Sequence, residues 1–179
     1  MSKMKKIAAM TAALLISANT MGYLPQDSII ISNVTANAAE EEITSVEINE
    51  TNFPDAIFRE YVKENFDKDD NGVLSAEEIA AVTKIDVYDM GISDLTGIEY
   101  FENLAILECM FNKLTTLDIS KNTALIELNC YHNQLTSLDV SDHTELIKLC
   151  FDTNNITSID LSNNTALTYL SCSATKLTS

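Results

Sequence analysis

Residues 67–78 read DKDDNGVLSAEE, a spacing of oxygen donors that suits a divalent cation. Asp67, Asp69 and Asn71 supply side-chain oxygens at loop positions one, three and five. Gly72 permits the sharp bend, Val73 offers a backbone carbonyl, and Ser75 ligates directly or through water. Glu78 is placed for bidentate closure. An all-oxygen, carboxylate-rich set favours Ca2+, because Mg2+ demands tighter octahedral geometry. The expectation is a calcium site, with a solvated acidic turn as the alternative.

The flanking residues must hold that loop. In NFPDAIFREYVKENF, Phe58, Tyr61, Val62 and Phe66 recur at helical spacing, and Pro54 is acceptable in a first turn. After the loop, SAEEIAAV begins with a capping box from Ser75 to Glu78. The apolar Leu74, at loop position eight, anchors the loop to something beyond it.

From Leu104 the chain repeats itself. LAILECMFNKLTTLDISKNTA, LIELNCYHNQLTSLDVSDHTE and LIKLCFDTNNITSIDLSNNTA are successive units of 21 residues, followed by LTYLSCSATKLTS. Leu107, Leu128, Leu149 and Leu170 mark the period, which lies in the range of leucine-rich repeats. A less regular unit precedes them, with Ile85, Val87, Ile92 and Leu95 in the apolar slots. The fold class read from this is an α/β solenoid: a right-handed leucine-rich-repeat coil with short parallel strands, preceded by a small helical cap. A single coil cannot bury its own apolar edge, so coils must stack and the first needs covering.

Alternation along each strand assigns the faces. Leu107 and Cys109 point inward, while Ile106, Glu108 and Met110 point to the concave side. The same rule places Tyr88, Glu108, Met110, Asn129, Tyr131, Lys148, Asp152 and Tyr169 on an exposed surface, suited to a protein or glycan ligand; ordinary solvated sheet is the alternative. Phe111 adds to the aromatic content of the same edge, and aromatics are enriched at binding hot spots.

Three columns recur at the repeat period. Asn112, Asn133 and Asn154 are expected to satisfy buried backbone groups where each coil leaves the sheet. Asp118, Asp139 and Asp160 could collect calcium, but local turn capping is the favoured reading. Cys109, Cys130 and Cys172, with Phe151 in the same slot, read as buried free thiols, because neighbours in a parallel ladder point the same way rather than at each other. Cys150 falls one residue earlier and is expected as an exposed thiol on the concave sheet. It lacks a catalytic base: His132 should lie roughly 10 Å away at ~3.3 Å per residue, and His143 belongs to the back of the coil. No other nucleophile–base set is evident, so no enzyme is expected.

Charge and the first residues bound the setting. The 179 residues carry a net charge of −16. MSKMKK followed by IAAMTAALLIS and Ala36-Asn37-Ala38 reads as a secretory signal over residues 1–38, too short in its apolar core to span a bilayer. Without it, 8 of the 11 basic and 26 of the 27 acidic residues remain, a net charge of −18. Such a surface repels nucleic acid and attracts divalent cations. The expected organisation is a signal over 1–38, a linker over 39–45, the cap over 46–83 and repeats over 84–179. The exported chain is expected to be extracellular and monomeric, with no membrane insertion once the signal is removed.

Residues 67–78 resemble an EF-hand calcium loop, and residues 82–179 resemble a bacterial leucine-rich-repeat surface protein of the internalin-like kind. ISDLTGIEYFENLAIL is especially similar to internalin repeats. The resemblance implies a secreted or wall-attached protein that binds ligands on the concave sheet, with a helical cap, sometimes EF-hand-like, fused to the first repeat. Two departures matter. EF-hands usually pair through their eighth positions, and with one loop Leu74 must find another partner. Internalin repeats are mostly slightly longer, whereas these run 21 residues with Cys in an apolar slot, so no specific ligand carries over.

The reading is an exported, calcium-stabilised binding module. The alternative is a structural accessory or spacer domain of a larger extracellular enzyme. The chain stops inside a repeat, with Thr175 where Asn is expected, so a fragment of a longer protein, attached to the cell surface through a further C-terminal region, is also expected.

Overall fold

A computed structural model describes residues 45–178. The secretory segment expected over 1–38, and all of the 39–45 linker but Ser45, lie outside the described residues. Among the described residues no helix is long and apolar enough to cross a membrane.

The chain runs β1 (Ser45–Glu47), α1 (Ala56–Phe66), β2 (Val73–Ser75), α2 (Ala76–Ala81), then β3 (Lys84–Asp86). A 3-10 turn over Ile98–Tyr100 follows, then β4 (Ile106–Glu108), β5 (Glu127–Asn129), β6 (Lys148–Cys150) and β7 (Tyr169–Ser171). β3 to β7 form one parallel sheet in sequence order, in constant register: Ile85, Leu107, Leu128, Leu149 and Leu170 are successive partners. This is the stacked-coil architecture that the repeat implies. Each strand is only three residues long because the chain must turn back to complete its coil.

Alternation decides burial as expected. Leu107, Cys109, Leu128, Cys130, Leu149 and Phe151 are fully buried, and Ile106, Glu108 and Met110 are only partly so. The four cysteines are free, but Cys172 is half-buried rather than buried as expected, because no described coil lies over β7 on its outer side. Burial pushes the Cys109 thiol well up and the Cys130 thiol up to about 12, so both stay protonated small hydrophobes.

The asparagine column does what its spacing implies. Asn133 Nδ2 donates to the Cys109 and Cys130 carbonyls (2.9 and 3.1 Å), and its Oδ1 accepts from Leu114 N–H (3.0 Å). Asn112 and Asn154 repeat the arrangement one coil to either side. Each amide thereby bonds backbone in its own coil and the coil before it, where an unpaired buried group would cost about 1–3 kcal/mol. Thr175 preserves only the local part, its hydroxyl donating to the Cys172 carbonyl at 2.9 Å. The aspartate column caps locally. Asp118, Asp139 and Asp160 accept from the N–H of Ser120, Ser141 and Ser162 at 2.9–3.0 Å, and those bonds hold the carboxyls below their usual range.

A second ladder escaped sequence reasoning. Asn122, His143 and Asn164 also recur at the repeat period and are buried at the opposite turn. Asn122 donates to the Ile98 and Phe101 carbonyls, and Asn164 to those of Val140 and His143. His143 occupies the middle of this ladder, with Nε2 3.2 Å from the Ile119 carbonyl and no partner for Nδ1. The signal was present in the turns SKNTA, SDHTE and SNNTA, but a histidine at the Asn position hid the column.

The cap covers one end of the stack. Ile85 of β3 is 0% exposed, whereas its equivalent in β7, Leu170, is 45% exposed. The difference is the layer over the first coil: Phe58 and Val62 of α1, Ile79 of α2 and Val82, all buried and continuous with the repeat core. Phe53 lies at the junction, with Phe58, Tyr100 and Phe101 rings 6.0, 5.7 and 6.5 Å away. Gly97 makes room for it. A Cβ there would meet the Phe53 ring at 2.3 Å, and the backbone is left-handed with φ +104°.

Pro54 falls outside α1 rather than in its first turn, because Asp55 is the N-cap. Its carboxylate accepts from Ile57 and Phe58 N–H.

Candidate metal loop and ligand face

The acidic loop is positioned from three sides. α1 delivers Phe66 and Asp67 to its start, and the capping box opening α2 fixes its end. Between them β2 pairs antiparallel with β1, in register Val46 to Leu74. Both residues are buried. The partner that Leu74 lacked is therefore a strand from the cap's own N-terminal side, which takes the place of a second loop.

Within the loop, Asp67, Asp69 and Glu78 bring carboxylate oxygens within 4.8 Å of one another. Asp67 is 7% exposed and accepts from Asn71 N–H (3.1 Å) and Gly72 N–H (2.8 Å). Left-handed backbone at Asp70 and Gly72 (φ +54° and +81°) folds the chain around it. Glu78 accepts from Ser75 N–H and hydroxyl at 2.9 Å each, and from Lys68 N–H at 2.6 Å. These bonds, the Ser75 N–H foremost, hold its carboxyl below the usual range. Asn71 orients the set, donating to Asp69 at 2.8 Å while its Oδ1 accepts from Val73 N–H at 2.7 Å.

Three converging carboxylates, one of them buried, repel one another unless a cation lies between them. The donor set fits a hard divalent ion: Asp67, Asp69, Asn71, the Val73 carbonyl, Ser75 and Glu78 are all oxygen donors on one short loop.

The second candidate site is the outward face of β3–β7 and the residues that follow each strand. Hydrogen bonding continues past the assigned strands: Asp89, Phe111, His132 and Thr153 N–H bond to the Met110, Tyr131, Asp152 and Ser173 carbonyls. These four residues are all left-handed (φ +53° to +57°), which turns the chain sharply off the sheet. That turn collects aromatic rings along one edge. Tyr88 and Phe111 lie 5.5 Å apart, Phe111 and Tyr131 4.9 Å apart, and His132 stacks on Phe111 at 4.7 Å with 17° between planes. Tyr169, 53% exposed, sits at the far end, away from this group. Glu108, Met110, Asn129, Tyr131, Lys148 and Asp152 are all half-buried, with atoms at the surface. His132 belongs to this edge, a placement that strand alternation does not foretell.

Two polar residues of the face are already engaged. Lys148 pairs with Glu127 at 3.5 Å, and Asp152 accepts from Ser171 hydroxyl and Ser173 N–H at 2.8 and 2.7 Å.

Cys150 corrects an expectation. It lies in the outward slot yet is only 8% exposed. Its side chain is short, in register between Asn129 and Ser171, with the longer side chains of Lys148, Glu108 and Glu127 near it. Burial pushes its thiol up, away from the thiolate that nucleophilic chemistry needs. His132 is stacked on Phe111 at 4.7 Å.

Comparison with known proteins agrees with this architecture. No family model matches the chain. It is 35% identical over 136 residues to internalin J of Listeria monocytogenes serotype 4b (strain F2365), a match covering 69% of this chain and 15% of that protein. The solved structure of a functional domain of InlJ from Listeria monocytogenes, which includes a cysteine ladder, superposes with a TM-score of 0.69 at 40% identity. That match covers 75% of this chain and 30% of the other. An internalin (inlF) of Listeria monocytogenes str. 4b F2365 matches with a TM-score of 0.64 at 25% identity, covering 75% of this chain and 47% of that one. The chain is thus a leucine-rich-repeat solenoid with internalin-like repeats, spanning less than a sixth of the length of the first of these relatives. The cysteines of this chain at the repeat period are Cys109 and Cys130, both buried, and Cys172, which is half-buried.

Proposed function

We propose that this chain is an exported or cell-surface binding module, in which the outward, concave face of the repeat sheet takes a protein or glycan ligand. The loop at 67–78 binds Ca2+ and fastens the cap. The observation that carries the reading is the row of rings Tyr88, Phe111 and Tyr131 along the outward edge of the repeat sheet, with Tyr88 52% exposed. Rigid aromatics on a regular scaffold give contact area at low entropic cost. Similarity to internalins supports the extracellular setting and the role of a binding surface.

For the loop, the support is its place. β2 is stapled to β1, and α2 leads within three residues into β3, so ordering the loop orders the layer over the first coil. A lone site of this kind is a fastening rather than a sensor, with affinity suited to extracellular calcium. Bound Ca2+ would supply the charge that lets Asp67, Asp69 and Glu78 converge.

The test is a screen of the chain against surface proteins and glycans, followed by Tyr131→Ser and Tyr169→Ser. Loss of affinity in either variant supports the face. Unchanged affinity of both for the discovered ligand rejects it.

A further inference from the structure

We infer that calcium at the loop controls the order of the ligand face, with Tyr61 as the link: closing residues 67–78 around the ion fixes β3 and the Tyr88–Phe111 end of the sheet. This rests on the readings of the loop as a calcium site and of the face as a binding surface. β3 is an edge strand, paired on one side by β4. On its other side the Asp86 N–H donates to the Tyr61 hydroxyl at 3.1 Å. A backbone donor bonded within the sheet is held by the sheet, but this one is held only as firmly as α1 is placed. Tyr88 follows Asp86 by two residues, and its ring lies 5.5 Å from that of Phe111.

The placement of Tyr61 leads back to the loop. Its ring packs edge-on against Phe66 (5.6 Å, 85° between planes), and Phe66 in turn packs against Phe101 at 5.3 Å. Asn65 ties the same turn together, donating to the Tyr61 carbonyl at 2.8 Å. Phe66 is the last residue of α1, directly before Asp67, the first donor of the loop. Close packing on all sides would fix Phe66 whatever the loop did. Instead it is half-buried and lines an open groove of about 490 Å³ with Ala81, Val82 and Lys84, so the position of Asp67 decides where its ring rests. Without a cation Asp67, Asp69 and Glu78 repel one another and the last turn of α1 loosens. With one, Asp67 is drawn in and the hydroxyl of Tyr61 stays on Asp86. Coupling passes through a contiguous chain of packed groups of this kind. By linkage, a ligand that prefers the ordered edge raises the calcium affinity of the loop by the same factor.

The experiment is amide hydrogen exchange of the full chain, followed by NMR, in chelator and in calcium at about ten times its dissociation constant. An opening that releases the ion is then suppressed by 1 + [Ca2+]/Kd, about ten-fold. Three amides are expected to slow by about that factor: Gly72 N–H, bonded to Asp67; Val87 N–H, bonded to the Glu108 carbonyl; and Asp89 N–H, bonded to the Met110 carbonyl. Thr153 N–H, bonded to the Ser173 carbonyl at the far end of the sheet, is expected to be unchanged and shows that each variant is folded. Tyr61→Phe keeps the ring against Phe66 and removes the hydroxyl. In it Gly72 should still slow with calcium, while Val87 and Asp89 should not. Slowing of Gly72 alone in the unaltered chain overturns the coupling and leaves the calcium fastening standing. Full calcium dependence at Val87 and Asp89 in Tyr61→Phe overturns the link, and equal slowing at Thr153 overturns control confined to the β3 end. If calcium slows none of these amides, the calcium reading fails and takes the inference with it.

Discussion

Asp55 holds two parts of the protein at once: one carboxylate oxygen accepts from the Ile57 and Phe58 N–H groups and caps α1, and the other accepts from Ser93 N–H (2.9 Å) and hydroxyl (3.0 Å). Ser93 lies in the first coil, so a single side chain clamps the cap to the solenoid. Asp55→Ala is expected to cost about 2–3 kcal/mol in urea unfolding, more than Ser93→Ala, because it removes a helix cap and the clamp together. Equal costs would mean that the clamp alone matters.

Acid should loosen the same joint. Burial pushes the Asp55 carboxyl up, but the Ser93, Phe58 and Ile57 donors outweigh it and hold the carboxyl below its usual range. Glu78 and the three turn aspartates are lowered too. A folded-state pKa below the unfolded one gives stability that is complete above the unfolded value, about 4, and is lost as pH falls through the folded value. Unfolding free energy should be level between pH 7 and 5 and fall below about 4, less steeply in Asp55→Asn.

Calcium should raise the melting temperature. At ten times the dissociation constant the gain is about 1.4 kcal/mol, and Glu78→Gln should reduce it by weakening closure of the loop. A melting temperature identical in calcium and in chelator would sink the calcium fastening.

Gly97 and Phe53 form a second joint between cap and coil. Gly97→Ala forces a Cβ into the Phe53 ring at a positive φ, with an expected loss of about 2–3 kcal/mol. Adding Phe53→Leu should recover part of the steric component, so the two changes should not be additive. Strict additivity in thermal melts would argue against the contact.

His143 sits where its neighbours in the ladder are Asn. In His143→Asn the amide can donate to the Ile119 carbonyl and, by the pattern of Asn164, to that of Asn122, two bonds where His143 makes one, while its Oδ1 stays unpartnered like those of Asn122 and Asn164. His143→Leu strands the Ile119 carbonyl at about 1–3 kcal/mol. The expected order of stability is Asn, then His, then Leu.

Native-state alkylation separates the thiols. Cys172, half-buried, should react first, and Cys109 and Cys130 only on unfolding. Cys150 should react slowly, in keeping with its burial, and rapid labelling would restore the exposed thiol that strand alternation implies.

The repeat period by itself determined the stacked parallel strands, the inward Leu and Cys slots, the Asn112–Asn133–Asn154 ladder and the capping by Asp118, Asp139 and Asp160. Those features are local or periodic: each depends on what a coil does to its neighbour one repeat away, and the spacing records it. The loop's donor spacing and the Ser75–Glu78 box were legible for the same reason. Tertiary structure alone decided what joins unlike parts. Val46 pairs with Leu74, Asp55 reaches Ser93, and Phe53 fills the space left by Gly97, across 28, 38 and 44 residues respectively. It also decided the burial of Cys150, because exposure on a sheet face depends on the length of neighbouring side chains as well as on which way a Cβ points. No periodicity encodes a contact made once.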